Sequence, residues 1–256
     1  MTASAALGFH ESPVPARICI ATGRALYVGP GLDLAAHMNI ATTLAVALGK
    51  PFELRTWSMH KRWSAWRQSA VSLIASQTLH HLRSSGPMAF LYFDPLTDRR
   101  KLPDESRLCR GVTLLRASAN RIGVGEAFAA FGLAALPPGD ARIARVARAI
   151  EHDPDAFACV GDAAAAAFLS PSRFRTRFDA EVGMPFRRYR LWRRMAVVMR
   201  ALHAGCSLTD AAMSAGFASS AHLSSAFRRI FGLAPSEIVA LGARIDLSED
   251  VGPLSA

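Results

Sequence analysis

The spacing of apolar positions changes about halfway along the 256-residue chain. Before residue 100 the apolar residues come in short runs at 17–22, 24–28, 70–76 and 88–93. Gly, Pro, Ser or Asp bounds each run, which predicts strands. Turn signals at Gly29-Pro30-Gly31, Gly49-Lys50-Pro51 and Ser84-Ser85-Gly86-Pro87 separate them. Several short strands at this spacing suggest a small sandwich or barrel. The segment 32–48 is ambiguous. Its Ala and Leu content favours helix, whereas Thr42, Thr43 and Val46, with a turn at each end, permit strand. The composition turns polar at 96–104. Beyond that, 105–119 and 126–133 read as helices, and Leu136-Pro137-Pro138-Gly139-Asp140 reads as a boundary. After the boundary the spacing is helical. In 141–151, Ile143, Val146, Ala147 and Ile150 share one face, and Asp153-Pro154 ends the helix.

The second half contains an internal repeat at an offset of 49 residues. Phe168 matches Phe217, Ser170 matches Ser219, Phe174 matches Leu223, Phe178 matches Phe227 and Gly183 matches Gly232. Each copy holds a short Ala-rich helix, a tight turn and a second helix, which is a helix-turn-helix. Asp162 and Ser207 are placed to cap the short helices, and Ser170-Pro171 and Ser219 to cap the second ones. The apolar residues four apart would pin each second helix to its support. Ser172, Arg173, Arg175, Thr176 and Arg177 then face outward in one copy. Ser220, Ala221, His222, Ser224 and Ser225 do so in the other. Gly216 sits in the second turn, opposite Ala167 in the first; a left-handed Ala there would cost on the order of 1 kcal/mol. Between the copies, Tyr189, Trp192, Met195, Met199 and Leu202 form an apolar stripe. A helix of roughly 18 residues spans ~27 Å, close to one DNA turn of ~34 Å.

Charge supports a polyanionic partner. The formal net charge is +10. Residues 1–138 and 163–240 each carry +7, and every basic residue after Arg121 is Arg. Arginine suits phosphates and guanine edges, although drift in a high-GC genome would give the same bias. No stretch of eighteen apolar residues is free of charge, so no membrane span is expected. The first ten residues carry no secretory pattern. Cys19, Cys109, Cys159 and Cys206 are dispersed, which fits a reducing cytoplasm.

The segments A-F-L-S-P-S-R-F-R-T-R-F (167–178) and A-G-F-A-S-S-A-H-L-S-S-A-F-R-R-I-F-G-L-A-P-S (215–236) resemble the AraC/XylS family of bacterial transcription regulators. The likeness covers about 100 residues, from Asp140 to about Ala240. It implies double-stranded DNA as partner, with RNA polymerase, a small-molecule effector and a second copy of the chain as further ones. Carried over, base-facing positions are Ser172, Arg175 and Thr176, then Ser220, Ala221 and Ser225. Arg173, Arg177, Arg228 and Arg229 would meet phosphates. Residues 26–32, His37, 51–54, 70–80 and 91–95 are similar to the cupin-like effector domains of that family, which would make 36–48 strand. The expected architecture is two-domain α+β. A small β-barrel, cupin-like domain occupies 1–103, a helical linker with a possible dimerising role 104–138, a double helix-turn-helix domain 139–240 and a tail 241–256.

Other clusters carry less. His37, His60, His80 and His81 lack the His-x-His pair of metal cupins, so neither a metal nor a cofactor is expected. His37, Trp57, Trp63, Trp66 and His80 are the candidate effector-binding residues; ordinary core packing is the alternative for the tryptophans. Gly123-Val124-Gly125 lacks the third glycine of a nucleotide loop. Asp94/Asp98 and Asp153/Asp155 read as turn and cap residues. The leading reading is a regulator without enzymatic activity. The alternative is a cupin-type enzyme or DNA-repair protein carrying a DNA-targeting module.

Overall fold

A computed structural model describes residues 14–21, 23–58, 61–95, 102–133 and 139–247. His60, the polar stretch 96–101, Leu136 to Pro138 of the expected boundary, and the chain from 248 onward lie outside the described residues.

Among the described residues nine strands precede the first helix: β1 Arg17–Ile20, β2 Ala25–Gly29, β3 Asp33–Met38, β4 Thr43–Ala47, β5 Phe52–Thr56, β6 Arg67–Ser69, β7 Val71–Ile74, β8 Leu79–Arg83 and β9 Met88–Tyr92. A tenth, β10 Arg244–Leu247, comes from the segment read as a tail. They form a six-stranded sheet, β10-β1-β2-β9-β4-β7, and a four-stranded sheet, β3-β8-β5-β6. Alternation along the strands sorts side chains between two cores. Tyr27, Ala45, Met88 and Phe90 face inward and pack with Leu34, Phe52, Leu54 and Leu82 of the smaller sheet. Leu26, Val28, Leu44, Val46, Ala89 and Leu91 face the other way, under helices α1 Glu105–Ser118 and α2 Val124–Ala130. β4 is therefore buried along its whole length. A strand covered on both faces loses its polar alternation, which is why 32–48 also scored as helix. That segment is two strands, one in each sheet.

The second half is α3 Ala141–His152, α4 Val160–Ala166, α5 Pro171–Val182, α6 Phe186–His203, α7 Leu208–Ser214, α8 Ser220–Phe231 and α9 Pro235–Ala240. The caps are largely those the sequence marks. Ser170, Ser207 and Ser219 each accept a backbone N–H at the start of a helix. At α4 the N-cap is Cys159, and Asp162 acts from inside the first turn by accepting the Cys159 N–H at 3.0 Å. Tyr189, Trp192, Met195 and Met199 are buried as the α6 stripe requires, and Leu202 is half-buried.

The two halves share one continuous apolar core. Ala35 of β3 donates to the Gly232 carbonyl at 3.0 Å, at the C-terminal end of α8. Gly232 has φ +77°, and a Cβ there would lie 2.6 Å from His37 Nδ1, so only glycine fits. Trp192 donates its indole N–H to the Gly23 carbonyl at 3.3 Å. Arg193, 4% exposed, meets Glu151 at 3.0 Å and Asp94 at 3.7 Å and donates to the Tyr189 hydroxyl at 2.8 Å. Finally, β10 lies parallel to β1, and Arg17 joins Asp246 at 2.7 Å while donating to the Ile122 carbonyl at 3.1 Å. Among the described residues no helix is long and apolar enough to cross a membrane.

Candidate DNA-binding face and interdomain cavity

In α5, Phe174 and Phe178 are buried against Phe186 with ring centroids 5.7 Å apart in both pairs. This anchoring turns Ser172, Arg173, Arg175, Thr176 and Arg177 to solvent, and all five are exposed. None of the three arginines makes an ion pair with another described residue. Thr176 returns its hydroxyl to the Ser172 carbonyl at 3.3 Å. Arg175 shares a stripe with Ser172 and Thr176 at spacings of three, four and one, whereas Arg173 and Arg177 line the adjoining flank. In α8, Leu223, Ala226, Phe227 and Ile230 are buried. Ala221, His222, Ser225, Arg228 and Arg229 are exposed, and Ser220 and Ser224 are half-buried. Arg228 lies 3.7 Å from Glu237 on the surface.

The two turns differ, and the expected pairing of Ala167 with Gly216 is corrected. Ala167 has φ −90° and is buried; the left-handed residue is Phe168, with φ +56°. Phe168 and Gly216 occupy the same place. Their successors, Leu169 and Phe217, each donate back into the short helix at 2.9 Å, to Ala164 and Ala212. The second turn carries one residue more before its capping serine, so the offset is 48 before the turn and 49 after it. Phe168 is 81% exposed, with Arg145 5.8 Å from its ring centroid. An arginine of a longer helix also bonds to each unit near its turn. Arg145 of α3 donates to the Ala166 carbonyl at 2.8 Å, and Arg194 of α6 to the Gly216 carbonyl at 3.0 Å.

Asp155, read as a cap residue, tethers α6 to the first unit. It binds Arg190 at 2.7 Å and Arg194 at 2.5 Å. Burial would raise its carboxyl, but hydrogen bonds from Arg194 and Arg190 outweigh this and hold it below the usual range.

The residues expected to bind an effector stand in two other places. His37 and His80 are buried between β3 and β8, ring centroids 4.2 Å apart. Each Nδ1 meets a carbonyl, Ala35 at 2.8 Å and Thr78 at 2.9 Å, so each Nδ1 carries the proton. Burial, then the neighbouring His80, pushes His37 down to about 3, and burial lowers His80. Trp63 and Trp66 sandwich Arg55 on the outer face of the smaller sheet, at 4.7 and 4.5 Å. Trp57 meets Trp63 edge-on at 5.4 Å. Among the described residues no group of three potential metal ligands comes together.

None of these five lines the apolar cavity at the seam between the halves. One wall is Ile18, Ile20, Leu26, Tyr27, Phe90 and Tyr92 of the larger sheet. The other is Trp192, Met195 and Met199 of α6 with Phe227 and Phe231 of α8. It leaves about 90 Å³ for the centre of a water-sized sphere, with Arg24 and Arg193 as its charged members. No motif marks this cavity in the sequence, because its walls are ordinary core residues on separate elements.

A family model described as a helix-turn-helix domain matches residues 163–240. No curated protein matches the chain. Solved structures of ToxT from Vibrio cholerae have the same fold. One, at 11% identity, covers 86% of this chain and 98% of its own with a TM-score of 0.56. A second, holding an unsaturated fatty acid, aligns at 14% identity over 86% of this chain and 96% of its own, TM-score 0.55. In a third, at 11% identity and TM-score 0.55, covering 85% of this chain and 98% of its own, the bound molecule is (E)-4-(8-methylnaphthalen-1-yl)but-3-enoic acid. The chain therefore carries an AraC-type helix-turn-helix DNA-binding domain at 163–240, joined to a β-rich N-terminal half in the two-part fold of ToxT.

Proposed function

We propose that the chain is a sequence-specific transcription regulator whose grip on DNA is set by an apolar or amphipathic small molecule in the interdomain cavity. α5 and α8 would enter successive major grooves, with Ser172, Arg175 and Thr176, then Ser220, Ala221 and Ser225, toward the bases. Arg173, Arg177, Arg228 and Arg229 would meet phosphates. The observation that carries the effector reading is the composition of the cavity walls. Phe227 and Phe231 form one wall with their side chains, while the opposite face of the same helix is the DNA-facing one. A molecule in the seam therefore touches the back of α8. The fatty acid in a ToxT structure supports an unsaturated fatty acid as the first candidate, since the cavity walls are apolar. RNA polymerase and a second copy of the chain are the further partners, and the cytoplasm the expected location.

The test is selection of binding sites from random duplexes by the full chain, with and without an unsaturated fatty acid. Enrichment of a two-part motif whose affinity shifts with the fatty acid is expected. Enrichment without any shift would remove the effector reading, and no enrichment would remove the regulator reading.

A further inference from the structure

We propose that the groove between α6 and α8 is a second anion site of the DNA-binding half, which holds backbone phosphates of the duplex segment between the two half-sites. The proposal rests on the regulator reading above and adds to it a contact outside the recognition stripes. The groove is open, with a volume of about 300 Å³, and is lined by Arg187, Arg190, Arg194, Arg229 and His222, over Phe217. Its position follows from the chain path. α6 begins three residues after Gly183 ends α5, so its N-terminal half lies beside the first recognition helix and runs toward the second. On α6 the three arginines, with Leu191, fall at spacings of three, four and seven, on one face. On α8, His222, Ala226 and Arg229 fall on the flank adjoining the stripe of Ala221, Ser225 and Arg228. The groove is thus continuous with the DNA-facing side.

Charge identifies the occupant. Four guanidinium groups line the groove, and the carboxylate of Asp155 is already shared by Arg190 and Arg194. Arg187 and Arg229 are exposed and make no ion pair with a described residue. Two fixed and two free guanidinia around a concave surface match the non-bridging oxygens of neighbouring phosphates, which arginine grips in pairs. Sequence-independent contacts there would set the register of α5 and α8 without reading bases.

The test uses the full chain and the duplex enriched in the selection experiment, made once with ordinary linkages and once with neutral methylphosphonates between the half-sites. Wild type should lose about tenfold in affinity on the neutral duplex, and its log–log salt slope should become shallower by about 2, as expected for two phosphates. The double variant Arg187→Gln/Arg229→Gln should show that loss on the ordinary duplex and no further loss on the neutral one. An unchanged melting profile would show that it folds. A wild type indifferent to the neutral linkages, or losses that add in the double variant, would overturn the groove proposal. Displacement of the ordinary duplex by millimolar inorganic phosphate, with no effect of the neutral linkages, would make it a site for a free anion instead and overturn it too. A wild type that binds no duplex would overturn the regulator reading itself.

Discussion

Three residues sit in conformations or environments that cost free energy, and they give measurable consequences. His37 and His80 are held neutral in the seam between β3 and β8, whereas in the unfolded chain a histidine titrates near ~6.5. Below that value the unfolded state binds protons that the folded state refuses, so stability is full above it and falls on acidification toward the His37 value of about 3. Denaturant titrations should show a loss of about 1 kcal/mol from His37 between pH 6.5 and 5.5, with His80 adding in the same direction, and His37→Gln should flatten that slope. Phe168 holds a left-handed backbone with its side chain in water. Phe168→Gly removes roughly 1–2 kcal/mol of strain against roughly 0.5–1 kcal/mol of added chain entropy, so a gain of up to about 1.5 kcal/mol is expected in thermal unfolding. The sequence flagged the strained position one residue too early. The repeat of large residues aligned Phe168 with Phe217, and only the backbone bonds reveal the extra residue in the second turn.

At the scale of elements, what was legible depended on how each one is buried. α5 and α8 each bury one stripe and expose another, so their capping serines, pinning aromatics and free faces could be read directly from spacing. β4 is buried on both faces and lost its signature, and β10 has only four residues of mixed polarity with a partner more than 200 positions away. The aromatic cluster at Trp57, Trp63 and Trp66 was visible as composition, but which face of the sheet it would occupy was not. Its stacking on Arg55 and Arg83 puts it outside. α5 and α8 also differ in what their exposed faces offer a duplex. α5 presents three unpaired arginines, α8 small hydroxyls and an Ala until Arg228. Arg175→Ala should relax preference at one base pair and cost ~1–3 kcal/mol, whereas Arg228→Ala should weaken all sequences alike. Selection on randomised half-sites with each variant checks this, and equal information in both half-sites would contradict it.

On the scale of the whole molecule, the N-terminal and C-terminal halves meet through an apolar seam, a buried ion cluster and a shared sheet. Nothing in the sequence announced the pairing of Arg193 with Asp94 and Glu151, because three residues far apart in the chain converge only on folding. The seam offers a direct test of coupling. Ala196 lines the cavity and is half-buried. Ala196→Phe should fill part of the space, leave duplex binding within about threefold and abolish the response to an unsaturated fatty acid, since ligand and side chain compete for one volume. Calorimetry with the fatty acid and duplex titration together check it; retained fatty-acid binding would place the ligand elsewhere. The β10–β1 ladder bears on how such a response travels. With the last described strand sewn beside the first, the C-terminal half is fastened to the N-terminal half at both of its ends. Beads on a string can swing apart about a single pivot; a closed ring cannot. Motion that leaves this ladder intact cannot swing the halves apart about one end, and a chain severed between them would still be stitched together by the four residues of β10 as well as by the bonds across the seam.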